Sequence, residues 1–140
     1  MTSMTSTESL PPTHRKKTWM DWAGYVATAL PGLGFVASAL MKFKQDPSMV
    51  EMFTQHLGYQ AASLPVIGAV ELLCVVLYLV PRTAVLGAVL LTGYLGGAIA
   101  THVRIGEGFA SPLLLGVLVW AGLFLRDARI RALLPLRRAS

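Results

Sequence analysis

Four long runs of apolar residues, separated by short polar connectors, dominate this chain, and they cover about residues 22–41, 64–80, 84–103 and 109–125. Each is close to the roughly 20 residues, range about 17 to 25, that a helix needs to cross the hydrocarbon of a bilayer. In that medium every backbone N–H and C=O must find its partner within the segment, which selects helices. Short alternating segments of the kind that build a membrane barrel are missing from the sequence. The predicted fold is therefore all-α, a four-helix transmembrane bundle. Residues 1–21 read as a disordered cytoplasmic N-terminal tail, 22–125 as the four-span domain and 126–140 as a basic cytoplasmic C-terminal segment.

The connectors add detail. The longest, from Lys42 to Ser63, predicts a short amphipathic helix. Asp46 suits the N-cap, Pro47 the first helical position and Gly58 the stop. Met49, Val50, Met52, Phe53 and Leu57 fall on one face, Ser48, Glu51, Gln55 and His56 mostly on the other, as in a helix lying at an interface or capping the bundle. The second connector, Pro81-Arg82-Thr83, is short enough to force antiparallel neighbours on either side of it. Gly87, Gly93, Gly96 and Gly97 in the third run predict close helix packing through small residues.

Composition agrees: of 140 residues 54% are hydrophobic and only 14% charged, too few charges to clothe a soluble domain. The net charge of +5 is segregated into the ends and connectors, which reads as membrane orientation and contact with anionic headgroups; no nucleic-acid surface is expected. Nine basic residues (Arg15, Lys16, Lys17, Arg82, Arg126, Arg129, Arg131, Arg137 and Arg138) share one side, against Lys42, Lys44 and Arg104 on the other. The positive-inside bias puts both termini in the cytoplasm. Residues 1–12 lack the basic-then-apolar order of a signal peptide, so the first run serves as its own insertion signal. Ile130, Leu133 and Leu134 among the arginines resemble a short surface helix anchored on anionic lipid.

Candidate chemistry is sparse. Glu71 lies roughly 10 Å from the outer end of its span, where a carboxylate must be protonated or paired and is usually functional. Thr92 and Tyr94 stand at a similar depth on the third span. Pro31 frees the carbonyl of Ala27, which a protonated Glu71 could meet in a structural role. Nearer the outer surface, Lys42, His102 and Arg104 would make a polar funnel down to Glu71, suited to a proton path or to a quinone carbonyl. In the plainer reading Lys42 and Arg104 snorkel to headgroups and His102 caps a helix end. The candidate pocket is Glu71, Tyr94, His102, Lys42 and Arg104. His14, His56 and His102 are scattered, so no metal site is expected. The single cysteine, Cys74, excludes an internal disulfide and reads as a small core residue one turn from Glu71.

The stretches Pro65-Val-Ile-Gly-Ala-Val-Glu71-Leu-Leu-Cys74, the turn Leu79-Val-Pro-Arg-Thr-Ala84, Leu91-Thr-Gly-Tyr-Leu-Gly-Gly-Ala-Ile-Ala-Thr-His102-Val-Arg104, Leu40-Met-Lys-Phe43, and Phe53 with Leu57-Gly-Tyr59 stand out as motifs. Together they resemble the DoxX-like family. The resemblance runs from about Tyr25 to Leu136 and implies a four-helix protein of the bacterial inner (plasma) membrane. The family takes its name from a small subunit of a thiosulfate:quinone oxidoreductase, which makes quinone the candidate cofactor and a soluble or membrane oxidoreductase the candidate partner. At most, then, the chain is a membrane subunit or accessory protein of a quinone-linked redox system. The alternative is a non-enzymatic scaffold, or a small carrier that four spans could form only as a homo-oligomer.

Overall fold

The computed structural model describes residues 19–133, which are helical with no strand among them. Helix α1 spans Trp19–Phe43, α2 Pro47–Glu51, α3 Leu64–Leu79, α4 Ala84–Arg104, α5 Ala110–Arg126 and α6 Ala128–Leu133. Three helical segments, Trp19–Phe43, Ala61–Leu79 and Ala84–Arg104, are long and apolar enough to cross a membrane. The apolar helix α5 is shorter, at 17 residues. α1 packs against α3 and α5, and α4 packs against the same two helices. The third and fourth predicted runs thus recur in α4 and α5 with boundaries one residue away.

The outward faces carry exposed Leu30, Leu33, Val66, Leu73, Leu86 and Val117, a surface that water would penalise and lipid would not. Inside, Phe35, Cys74, Val75, Tyr78, Leu91 and Val119 belong to one core cluster. Such a chain is a membrane protein.

The end where α1 begins and α5 finishes, the terminus end of the helices, is closely packed. A Cβ on Gly87 would lie 2.1 Å from the Tyr78 backbone nitrogen, so only glycine lets α4 leave the Pro81 turn pressed against α3. Gly24 meets the backbone of Arg126, and Gly122 meets Thr28 and Ala27, which brings α1 and α5 together in the same half. Tyr78 Oη donates to the Val119 carbonyl at 2.9 Å, and the Arg126 guanidinium both donates to the Tyr78 carbonyl and sits 5.3 Å from the ring centroid. Small-residue packing in α4 is confined to this end. A Cβ on Gly93, Gly96 or Gly97 would meet nothing within 4 Å, contrary to their predicted role in close approach.

The long connector is helical as predicted, with a twist. Asp46 accepts the Ser48 N–H, Pro47 opens α2, and Gly58 ends the segment at φ 69°. The Ser48 hydroxyl, then its backbone N–H, hold the exposed Asp46 carboxyl below the usual carboxylate range. Past Glu51 the chain widens into a π-helical turn, Met52–His56. That turn shifts the apolar stripe: Phe53 and Leu57 are buried against Leu64, whereas Met52 is exposed. The C-terminal segment also departs from a pure lipid anchor. Ile130 joins the main core, and Arg131 donates to the Phe124 and Leu125 carbonyls that α5 leaves open at its end. The Leu133 side chain, Leu134, and residues 1–18 of the expected N-terminal tail lie outside what is described, whereas residues 19–21 of that expected tail are the first turn of α1, which begins three residues before the predicted run.

Candidate functional site

At the connector end the same helices enclose a polar centre. Lys42 is the second-last residue of α1, where a helical Cα–Cβ bond points back toward the N-terminus and so into the bundle. Gly68 on α3 leaves the space it needs, since a Cβ there would come within 3.1 Å of Lys42 Cβ. The ammonium reaches Glu71 Oε2 at 2.7 Å and Ser38 Oγ at 2.5 Å, and Ser38 itself approaches Glu71 Oε2 at 3.4 Å. Lys42 is 3% exposed and Glu71 2%, so the pair is internal. The ring of Phe53 from the connector lies 5.4 Å from the ammonium.

Two of the sequence expectations for these residues are overturned. Glu71 does not serve the Ala27 carbonyl, because a cation one helix away is the stronger partner and Ala27 lies at the opposite end, against Gly122. Lys42 does not snorkel, because its side chain leans away from the nearer end of its helix.

Two cavities flank the pair. One, about 510 Å³, lies under the connector and is bounded by Met49, Phe53, Tyr59, Gly97 and Thr101 among others. The second, about 480 Å³, lies between α1 and α5, with Leu30, Gly34, Leu115 and Leu118 in its wall and Glu71 at its head. Ser38, Lys42, Tyr94, Ala98 and His102 line both. Gly93 and Gly97 make room where side chains would otherwise fill the first cavity, which accounts for the open space at each.

Of the five residues singled out from the sequence, the structure brings Lys42, Glu71, Tyr94 and His102 to one centre. Tyr94 also stacks edge-on against Phe35, with ring centroids 6.5 Å apart. His102 turns its Nδ1 to the Ala98 carbonyl at 2.8 Å, leaving the rest of its ring at the cavities. Arg104 stands apart: it donates to the Leu57 carbonyl and lines neither cavity. Beside it Tyr59 Oη meets Thr101 Oγ1 at 2.8 Å, so the two contacts strap the connector onto α4. Thr92 faces α5, where it accepts from Trp120 Nε1, and Cys74 is buried in the core cluster outside both cavities.

Sequence reasoning missed Ser38 and Gly68. Ser38 stands one turn before Lys42, an i,i+4 polar pair within an apolar run, which was the available signal. The role of Gly68 depends on which residue faces it, and nothing local encodes that. No group of three or more His, Cys, Asp or Glu residues among those described converges as a metal site would.

The donors at this centre suit a carbonyl-bearing, lipid-soluble ligand: an ammonium, a phenol and an imidazole at the head of apolar cavities. No curated protein and no solved structure matches the chain. A family model described as the DoxX-like family does match, over residues 26–122. That segment holds the ion pair, Tyr94, His102 and most of both cavities, and it is well over half of the chain; this protein belongs to the DoxX-like family.

Proposed function

We propose that this DoxX-like chain is a four-span protein of the bacterial inner membrane, with both termini cytoplasmic, and a small subunit or accessory protein of a quinone-linked redox system. The observation that carries the reading is an internal Lys42–Glu71 ion pair standing between two cavities. Replacing such a pair with apolar residues is often neutral or stabilising, so stability alone gives little reason to keep it inside a membrane. Intramembrane charges that face a cavity mark ligand or ion sites.

Four spans are supported by α5, which packs on α1 and α4 and at about 1.5 Å per residue is roughly 25 Å long, within reach of the hydrocarbon thickness. Orientation rests on the nine-to-three distribution of basic residues. A bound quinone would supply two-electron, two-proton redox chemistry. Lys42 and Tyr94 would donate to its carbonyl oxygen, Glu71 would hold the ammonium in place, and His102 would hold or move a proton at the connector side. The apolar walls would exclude water from the head of the site.

The reading is tested with a variant that keeps the fold. Lys42→Met combined with Glu71→Leu removes both charges together, and the purified protein is assayed for co-purifying quinone beside wild type and His102→Ala. Stoichiometric quinone in wild type and its loss in the folded double variant is the expected result. Equal quinone in both, or none in either, would sink the assignment. A scaffold or oligomeric carrier is the second reading, favoured by the fact that every buried side-chain nitrogen and oxygen among the described residues already has a partner. It predicts that the double variant is stable and fully active in the cell.

A further inference from the structure

α1 and α5 touch tightly at one end and part at the other. At the terminus end, Gly24 and Gly122 allow backbone approach, with prospective Cβ contacts of 2.8 Å to the Arg126 nitrogen and 3.1 Å to the Ala27 carbonyl carbon. Beyond Leu30 and Leu118 this closeness is gone: a Cβ on Gly34 would meet nothing within 4 Å, and the space between the helices is the second cavity. Leu30 is 67% exposed and Leu118 43%, so apolar residues of that cavity wall also face outward. Leu30 lies 11 residues along α1, about 16 Å at 1.5 Å per residue, which is near the middle of a hydrocarbon layer about 30 Å thick. The cleft thus opens on lipid tails and ends on Glu71, Lys42, Tyr94 and His102. The other cavity is roofed by the connector, which is strapped down through Tyr59–Thr101 and Arg104–Leu57.

We infer that the α1/α5 cleft is the seat of the ligand's hydrocarbon tail, so that a prenylated or alkylated quinone enters the site laterally from the bilayer. This rests on the quinone reading above. The tail lies along Leu30, Gly34, Leu115 and Leu118, where shape fit and van der Waals contact hold it, since lipid tails are as apolar as leucine. The ring meets the shared polar wall. The glycine at position 34 keeps the cleft open, as Gly97 does for the cavity beneath the connector.

Gly34→Trp and Gly97→Trp each fill one cavity from a position with free space, and neither replaces a group of the polar centre. The full chain, reconstituted in lipid nanodiscs, is titrated with a decyl-tailed benzoquinone and with the same benzoquinone lacking its tail. Expected is that Gly34→Trp weakens the tailed quinone by at least about tenfold and leaves the tail-less one near its wild-type affinity, while Gly97→Trp does not discriminate between them. Discrimination by Gly97→Trp instead would place the tail under the connector and overturn the inference. So would binding of both quinones with neither variant telling them apart. If wild type bound neither quinone, the quinone reading itself would fall and this inference with it.

Discussion

The two ends of the helical ring are built from the same kinds of residue and do opposite things. At the terminus end Gly24, Gly87 and Gly122 are in tight contact, Tyr78 bridges α3 to α5 through the Val119 carbonyl, and Arg126 closes over its ring. At the connector end a Cβ on Gly34, Gly93 or Gly97 would meet nothing within 4 Å, and two cavities flank a buried ion pair. Glycine in a membrane helix therefore has two uses, backbone contact and empty space, and its neighbours decide between them. A clamped end and an open end on one set of helices make a receptacle.

Breaking the clamped end has the largest expected effect. Even Gly87→Ala places a methyl group against the Tyr78 backbone, which has no flexible side chain to yield, so a loss above about 4 kcal/mol or failure to accumulate is expected. Gly93→Ala at the open end should be neutral or stabilising by up to about 1 kcal/mol through helix propensity. Thermal unfolding in detergent of the two variants checks the contrast; similar stabilities would erase the distinction drawn here.

Charge comes next. Glu71→Gln or Lys42→Met alone strands its partner and should cost about 3–5 kcal/mol, whereas the double variant Lys42→Met/Glu71→Leu should unfold near wild type. Additive losses in that cycle would mean that the pair does not act as a unit.

Tyr78→Phe sharpens the comparison from the clamped side. It deletes the buried hydroxyl that donates to the Val119 carbonyl and also reaches Thr28 Oγ1, and should cost about 1 kcal/mol, with ligand binding at the other end unchanged. A change in binding would show that the two ends are coupled.

The smallest effect is confined to the connector. Ser48 holds the Asp46 carboxyl below its ordinary range. The folded pKa is depressed, so the cap's contribution is present above the ordinary carboxylate range and is lost as pH falls through the folded value. Amide-exchange protection factors over residues 48–51 should fall there while those in α3 and α4 do not, and a uniform fall would contradict a local cap.

Much of this was legible in the chain. The apolar runs, the Pro81 turn, the Asp46-Pro47 cap and the Gly58 stop all depend on residues close in sequence, and each appears where expected. Glu71 announced itself because a lone carboxylate in an apolar run is costly anywhere in a bilayer. Its partner was less plain. Lys42 read either as part of a polar funnel above Glu71 or as a residue snorkelling to the headgroups, and only the backward lean of a side chain near a helix C-terminus, with Gly68 opposite, turns it onto the carboxylate. Arg104 sits two residues from His102 and was grouped with it, yet on a helix that offset turns it elsewhere, to the Leu57 carbonyl.

The sequence by itself determined that the chain is helical, that it belongs in a membrane, where α3, α4 and α5 start and stop to within a residue, and that one carboxylate must be accounted for. These follow from local hydropathy and from backbone hydrogen bonding, which need no knowledge of what lies across the bundle. Only the tertiary structure decided which glycines clamp and which leave space, which cation meets Glu71, and that α1 and α5 part to form a cleft. Those outcomes depend on residues of different helices coming face to face, as Lys42 and Glu71 do across 29 positions of sequence. In lipid, apolar side chains have little preference for one another over the solvent, so steric fit and buried polar pairs settle the arrangement.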